Sequence, residues 1–161
     1  MQYHQNDPVV YGSHGVCTIV DIEEKNIDKK IVQYYVLEPL NQPGTKYYIP
    51  VHNEVALSKM RRPLTRKVIE EMCAGNTPIS DCWIDDENRR KLRYRELIGN
   101  CEPLVLFSMV RLLREHRDAQ LTQGRKFHIC DANFLKDAEN LLAGEFAFVL
   151  GIEKTEAMNM I

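Results

Sequence analysis

The chain has 161 residues, of which 44% are hydrophobic and 27% are charged, and its formal net charge is −2. This composition predicts one ordinary folded domain or two small ones, and it excludes an intrinsically disordered chain. No apolar run approaches the roughly 20 residues that span a bilayer, and the polar start differs from a signal peptide. We therefore expect a cytoplasmic protein without membrane contact.

The first third of the sequence alternates between apolar and polar residues, as strands do. Segments 9–11, 16–22, 31–37 and 46–51 are predicted strands, separated by turns at 12–15 and 39–44 and by a polar connection at 25–30. The alternation places Val16, Thr18, Val20 and Ile22 on one face. Short strands without an intervening helix predict a small antiparallel β-barrel.

After residue 63 the hydrophobic period becomes helical. We expect Thr65 to cap a short helix that Gly75 ends, a second helix over 84–98 that Gly99 stops, and a third that starts near Pro103. Asp131 should cap a last long helix, which Gly151 ends, leaving a frayed tail to Ile161. Its predicted core face is Leu135, Ala138, Leu142, Phe146 and Val149. The predicted class is thus α+β, with a β-domain over 1–60 and a helical domain over 61–161.

Catalytic and metal motifs are not found in the sequence. Five cysteines, an odd number without a C-x-x-C pair, predict reduced thiols, and none stands at zinc-ligand spacing from a histidine. His14 and Cys17 are three residues apart, but no third residue is positioned to orient them. No phosphate-binding loop or nucleophile elbow occurs. We expect a protein that is not an enzyme, with no catalytic residue, no metal site and no cofactor.

The densest basic run follows the only tryptophan, Trp83. Residues 61–120 carry 12 Lys and Arg against 10 Asp and Glu, whereas both flanking segments are net negative. An apolar wedge beside phosphate-pairing cations is suited to separating a DNA base step. The alternative is a core tryptophan packed under a solvated helix. The five cations are Arg89, Arg90, Lys91, Arg93 and Arg95.

Two tyrosine pairs, Tyr34-Tyr35 and Tyr47-Tyr48, lie in predicted strands. Such residues are usually half in the core. An outward tyrosine near a sheet edge would favour binding of a partner strand, and stacking tyrosines would favour single-stranded nucleic acid.

The order of three segments, 10–24, 33–37 and 48–51, resembles the amino-terminal module of the CarD/CdnL family. Transcription-repair coupling factor shares that module in its polymerase-binding domain. The lone tryptophan before a basic helix, the segment 121–126 and the helix that ends at 142–152 are similar to the second domain of the family. The resemblance covers about residues 8–152, and its β-domain motifs are the more specific ones.

The resemblance implies a Tudor-like barrel that docks on the β subunit of bacterial RNA polymerase through Lys25, Asn26 and Ile27, with Tyr47 and Tyr48 on the facing strand. It also implies that the helical domain contacts promoter DNA. Trp83 would insert in the minor groove at the edge of the melted region and stabilise the open complex, with Arg89, Arg90, Lys91 and Arg93 on the backbone. We expect a monomer, with an element-swapped dimer as the alternative.

Two features depart from the family pattern. Tyr48 stands where some members have a basic residue, which would replace an ionic contact by an aromatic one. The acidic segment 84–87 separates Trp83 from its cations, so it moves them away from DNA, weakens binding or only caps the helix. The alternative function is an interaction module that binds its partner by strand addition and does not touch DNA.

Overall fold

The computed structural model describes residues 3–76 and 83–161. The chain folds as two compact units, Met1–Pro63 and Leu64–Ile161. The first unit is built on strands and the second on helices, because the hydrophobic period changes from two to about 3.6 residues between them. The predicted α+β class, with β before α, is confirmed.

Over residues 3–63 the first unit contains one antiparallel sheet, a 3-10 turn at Gly12–His14 and one short α-helix, α1 (Glu54–Leu57), which is capped by the Asn53 side chain. The sheet order is β4-β3-β2-β1-β5, so β4 and β5 are its edges. The strands are β1 (Pro8–Tyr11), β2 (Val16–Ile27), β3 (Lys30–Pro39), β4 (Tyr47–Pro50) and β5 (Met60–Arg61).

A long hairpin of β2 and β3 dominates this sheet. Its strands remain paired up to Ile27 and Lys30, and only Asp28 and Lys29 form the turn, with φ of 50° and 65°. Two consecutive positive φ values match the twist of a tight two-residue hairpin. The predicted polar connection at 25–30 is therefore wrong, because most of it is strand: one face of the hairpin is solvated and accepts polar residues.

The core of the first unit lies against one face of the sheet. A register shift between Ile19 and Asp21 interrupts the alternation of β2. Cys17 and Ile19 point into the core before the shift, and Ile22 packs against it afterwards. The expectation that Val16, Thr18, Val20 and Ile22 share a face is therefore wrong. The buried cluster is Tyr3, Val9, Cys17, Ile19, Tyr35, Leu37, Ile49 and Met60.

The sheet is open rather than closed into the predicted barrel. Among the described residues β4 pairs only with β3, and β5 only with β1. The two edge strands have four and two residues, which leaves little backbone for a closing ladder. Ala56 and Leu57 of α1 pack against the core instead, so the connection between the edges supplies part of its apolar cover.

The described residues of the second unit, 64–76 and 83–161, contain five α-helices. In the part of the chain that the structure describes, no helix is long and apolar enough to cross a bilayer. Buried residues recur at three- and four-residue spacing in two of these helices: Leu106, Met109, Val110 and Leu113 in one, and the predicted Leu135, Ala138, Leu142 and Phe146 in the other. Val149, also predicted for that face, is only partly buried. The helices are α2 (Arg66–Glu71), α3 (Glu87–Asn100), α4 (Pro103–Thr122), α5 (Ile129–Leu150) and α6 (Lys154–Met160).

Several predicted helix ends are confirmed. Thr65 Oγ1 accepts a hydrogen bond from the Val68 amide at 3.4 Å, and Pro103 is in the first turn of α4. Gly75, at φ 83°, interrupts the turn that follows α2. Gly151 ends α5 in the left-handed conformation, at φ 68°.

Other predicted ends are wrong. Asp131 does not cap α5; the His128 side chain does, and Asp131 turns inward. The second helix starts at Glu87 rather than at residue 84, and it passes through Gly99 to end at Asn100, where Cys101 caps it in the left-handed conformation at φ 50°. A single glycine lowers helix stability by about 1 kcal/mol, which neighbouring packing can offset. The tail is not frayed, because α6 buries Ala157.

Candidate functional site

Lys25, Tyr34 and Tyr48 form a cluster on the sheet face opposite the core. The Lys25 Nζ lies 3.6 Å from the centre of the Tyr48 ring and 5.9 Å from that of Tyr34. The two rings meet edge to face at 6.4 Å, and the Glu23 carboxylate is 3.7 Å from Nζ. Cation–ring contacts contribute about 0.5 to 1 kcal/mol at exposed sites. This cluster presents a cation and aromatic surface to solvent.

The tip of the β2–β3 hairpin carries an exposed apolar side chain on each face, and that of Ile27 extends this surface. Ile27 is 45% exposed and Ile31 is 73% exposed. Alternation along β2 puts Ile27 on the same face as Lys25 and puts Asn26 on the other face, paired with Ile31. Branched aliphatic side chains at a protruding tip are available for contact with a partner.

Strand β4 offers a backbone edge beside this cluster. The amide of Val51 donates to the Gln33 carbonyl at 2.9 Å. Because only every second residue of an antiparallel strand directs its backbone groups at the neighbouring strand, those of Val51 and Ile49 face β3. The backbone groups of Tyr48 consequently face away from β3. Unpaired edge groups of this kind accept an added strand.

Tyr47 lies apart from the cluster. It packs against the core, and its ring is 4.1 Å from the ring of His14, which in turn stacks on Tyr11. Burial lowers the pKa of His14. The predicted polymerase-binding residues thus divide between two faces: Lys25, Ile27 and Tyr48 on one, and Asn26 and Tyr47 on the other. Their contact with polymerase stays a prediction.

Trp83 is partly buried and held by two other side chains of the second unit. Its ring stacks on His116 with centres 3.4 Å apart and planes 12° apart. The Arg90 guanidinium carbon lies 4.5 Å from the Trp83 ring centre. Burial lowers the pKa of His116, which favours its neutral form. Trp83 is neither a free side chain nor a fully buried core residue.

Arg90 is fixed by hydrogen bonds within the second unit. Its Nε and Nη2 donate to the two carboxylate oxygens of Asp131, both at 2.9 Å, and Nη1 donates to the carbonyls of Ile84 and Asp85. Arg90 is 6% exposed and Asp131 is 2% exposed. The hydrogen bonds to Asp131 raise the pKa of Arg90. A bidentate pair of this kind holds α3 on α5.

The other cations of the basic run are on the surface of α3. Lys91 pairs with Glu87, and this hydrogen bond raises the pKa of Lys91 and lowers that of Glu87. Arg93 lies 3.3 Å from Glu96, and Arg89 is exposed. For all of these residues, as for Arg90, contact with DNA stays a prediction.

Local roles account for much of the acidic segment after Trp83. The Asp86 side chain accepts a hydrogen bond from the Arg89 amide at 2.8 Å and caps α3. The carbonyls of Ile84 and Asp85 bind Arg90. Sequence reasoning missed Asp131 and His116, the residues that hold Arg90 and Trp83. Nothing in their spacing from residues 83–90 signals these contacts.

The first unit, an open antiparallel sheet with an exposed cation–tyrosine cluster, defines a small β-domain in an α+β protein. Residues 3–62 match the family model of the CarD-like/TRCF RID domain. These residues therefore form an RNA polymerase-interacting domain of the CarD-like/TRCF family, and the chain is a transcription-related protein. The predicted resemblance is confirmed for this domain. Comparison of the chain with curated proteins gives no match.

Proposed function

We propose that this protein is a bacterial, cytoplasmic, non-enzymatic transcription regulator that binds the β subunit of RNA polymerase and promoter DNA as a monomer. The match of residues 3–62 to the CarD-like/TRCF RID domain carries the polymerase part of this proposal. The DNA part rests on the resemblance of the helical domain and on the position of Trp83 in the sequence shortly before α3, whose surface carries Arg89, Lys91 and Arg93.

The polymerase contact uses the face that carries Lys25, Ile27 and Tyr48, together with the edge of β4. Strand addition on β4 supplies backbone hydrogen bonds, and the side chains beside the edge supply specificity. Tyr48 is 40% exposed and already holds Lys25 over its ring. Prior ordering of these two side chains reduces the entropy lost on binding.

The DNA contact uses Trp83 as a wedge at the upstream edge of the melted promoter. His116 and Arg90 hold the indole in one orientation, so little side-chain freedom remains to be lost on binding. Occupying an unstacked base step contributes on the order of a few kcal/mol. Arg89, Lys91 and Arg93 supply the salt-dependent attraction to phosphates, whereas Arg90 serves mainly to orient Trp83.

Retention of the full chain by a fragment of the polymerase β subunit tests the first contact. Ile27→Glu introduces a charge at the hairpin tip and should weaken retention at least tenfold. Val55→Glu is the matched control, because Val55 is an aliphatic residue of the same unit that is 72% exposed and lies in α1. Equal retention of both variants, or none of the parent chain, would contradict the proposal.

The lifetime of an open promoter complex tests the second contact. Trp83→Ala should shorten it severalfold, whereas Phe148→Ala should not. Phe148 is a matched control as an aromatic residue of the same unit that is 42% exposed. Arg89→Ala with Arg93→Ala should reduce the slope of log affinity against log salt by about 1 to 2. An unchanged lifetime of the open complex with Trp83→Ala would contradict the role of Trp83 as a wedge.

The alternative is an interaction module that binds polymerase and does not touch DNA. One observation favours it: Trp83 already has two partners within its own unit, so its ring surface is partly used. This alternative predicts normal polymerase retention and no salt-dependent contact with DNA. The two assays above therefore separate it from the main proposal.

A further inference from the structure

Glu87, His128 and Cys130 bring three different ligand types together at the starts of α3 and α5. One ligand atom from each residue lies within 4.8 Å of the others. The His128 Nε2 is 3.7 Å from the nearer Glu87 carboxylate oxygen. Glu87 and His128 are exposed and Cys130 is partly buried, so ions in solution can reach the cluster.

We propose that these three residues bind a zinc ion. Carboxylate oxygen, imidazole nitrogen and thiolate sulfur are the ligands that Zn²⁺ takes in proteins, and the thiolate disfavours Mg²⁺ and Ca²⁺. Bond lengths of about 2.0 to 2.3 Å place the ligand atoms of a tetrahedral zinc about 3.5 Å apart. Side-chain rotations that move each ligand atom by about 1 Å would bring the three atoms to that spacing. A water molecule would take the fourth position.

The charges of the cluster suit a divalent cation. A carboxylate and a thiolate carry two negative charges, and neutral His128 adds none. The Lys91 ammonium already pairs with Glu87 and interacts with the Cys130 thiol. The Lys91 ammonium thus interacts with both the Glu87 carboxylate and the Cys130 thiol, and a zinc ion bound there would displace it. Lys91 is consequently a competitor of the metal for the site.

His128 also caps α5, which has a consequence for metal binding. Its Nδ1 accepts a hydrogen bond from the Cys130 amide at 3.3 Å, and its Nε2 faces Glu87. Coordination through Nε2 places the ring proton on Nδ1 and ends this long hydrogen bond. Asparagine is a good helix cap, so His128→Asn removes the ligand while it keeps the cap.

Bound zinc would join the same two helices that Arg90 and Asp131 join. Glu87 lies three residues before Arg90, and Cys130 lies next to Asp131. A ligand that binds only the folded state stabilises that state by mass action. We therefore expect zinc to raise the melting temperature of the helical unit. This site does not involve the proposed polymerase contact, but it shares Lys91 with the proposed DNA contact.

Titration of the reduced full chain with Co²⁺ tests the site, because a cobalt–thiolate bond gives a charge-transfer absorption band. One equivalent of Co²⁺ should produce the band, and Zn²⁺ should abolish it. Cys130→Ser should remove the band. Cys73→Ser is the matched control, since Cys73 is also a partly buried free thiol and should keep it.

Calorimetric titration with Zn²⁺ tests the other two ligands and the competitor. Glu87→Gln and His128→Asn should each weaken binding at least tenfold, and Lys91→Met should strengthen it severalfold. The circular dichroism of each variant before metal addition controls for folding. Absence of a cobalt band in the parent chain, or a band that survives Cys130→Ser, would overturn the proposal. So would unchanged zinc affinity in both Glu87→Gln and His128→Asn.

Discussion

Two cation–aromatic pairs, one in each unit, have similar chemistry and opposite surroundings. In the sheet unit Lys25 lies over Tyr48 on a solvated face. In the helical unit Arg90 lies beside Trp83, but both oxygens of the buried Asp131 and two backbone carbonyls take its donors. The first cation remains accessible to a partner, whereas the second is part of the packing of its domain.

The difference shows that sequence clustering of cations does not decide which of them can bind a partner. Arg90 stands in the densest basic run, yet it is the member of that run that is buried. Its guanidinium can satisfy a carboxylate and two carbonyls at once because it carries five donors in a plane. A lysine ammonium has no such fork, and Lys25 stays on the surface.

The largest expected effect is on the buried pair. Asp131→Ala leaves the Arg90 charge buried without its carboxylate, which should lower the free energy of unfolding by about 3 to 5 kcal/mol. Urea unfolding measures this through Trp83, the only tryptophan. Asp118→Ala is the control, because Asp118 pairs with Arg117 on the surface; it should cost less than about 1 kcal/mol. Similar losses of stability in both variants would show that the buried pair contributes no more than the surface pair.

Removal of the tryptophan ring should have an intermediate effect. Trp83→Ala deletes the stack on His116 and the contact with Arg90, and we expect a loss of about 2 kcal/mol in stability. Because the variant lacks a tryptophan, circular dichroism at increasing urea is the measurement. Trp83→Phe should recover part of the loss. A neutral result for Trp83→Ala would show that its contacts do not stabilise the unit.

A smaller effect should appear as a pH dependence of the helical unit. Burial lowers the pKa of His116 in the folded state, so the unfolded state binds more protons between the folded pKa and about 6.5. The free energy of unfolding should not be reduced by this histidine above about pH 6.5, and it should fall as the pH drops below that value. His116→Gln should flatten that part of the curve. Parallel curves for parent and variant would contradict this role of His116.

The smallest effect on stability is expected for Lys25→Met. An exposed cation–ring contact contributes little, so the free energy of unfolding should change by about 0.5 kcal/mol or less. Retention by the polymerase β subunit should nevertheless weaken severalfold. A loss of stability comparable to that of Asp131→Ala would mean that Lys25 has a structural role. The two cation–aromatic pairs would then no longer differ in their contribution to folding.

The strand and helix types were predictable because they rest on local patterns. Alternation identified the strands around Val9, Cys17, Tyr35 and Ile49, and three- and four-residue spacing identified the buried stripe of α5. The hairpin through residues 25–30 was missed because its strands are polar on a solvated face. The role of Asp131 was also missed, since an aspartate near a helix start fits a cap equally well.

By itself the sequence determined the β-then-α order, the buried stripes and the family of the amino-terminal domain, because these are encoded in short periodic segments and motifs. Only the tertiary structure decided that Arg90 is buried against Asp131, that Trp83 rests on His116, and that Glu87, His128 and Cys130 meet. Apart from His128 and Cys130, which are two positions apart, these contacts join residues 33 to 43 positions apart. Their formation depends on how α3, α4 and α5 pack, and no local pattern specifies that packing.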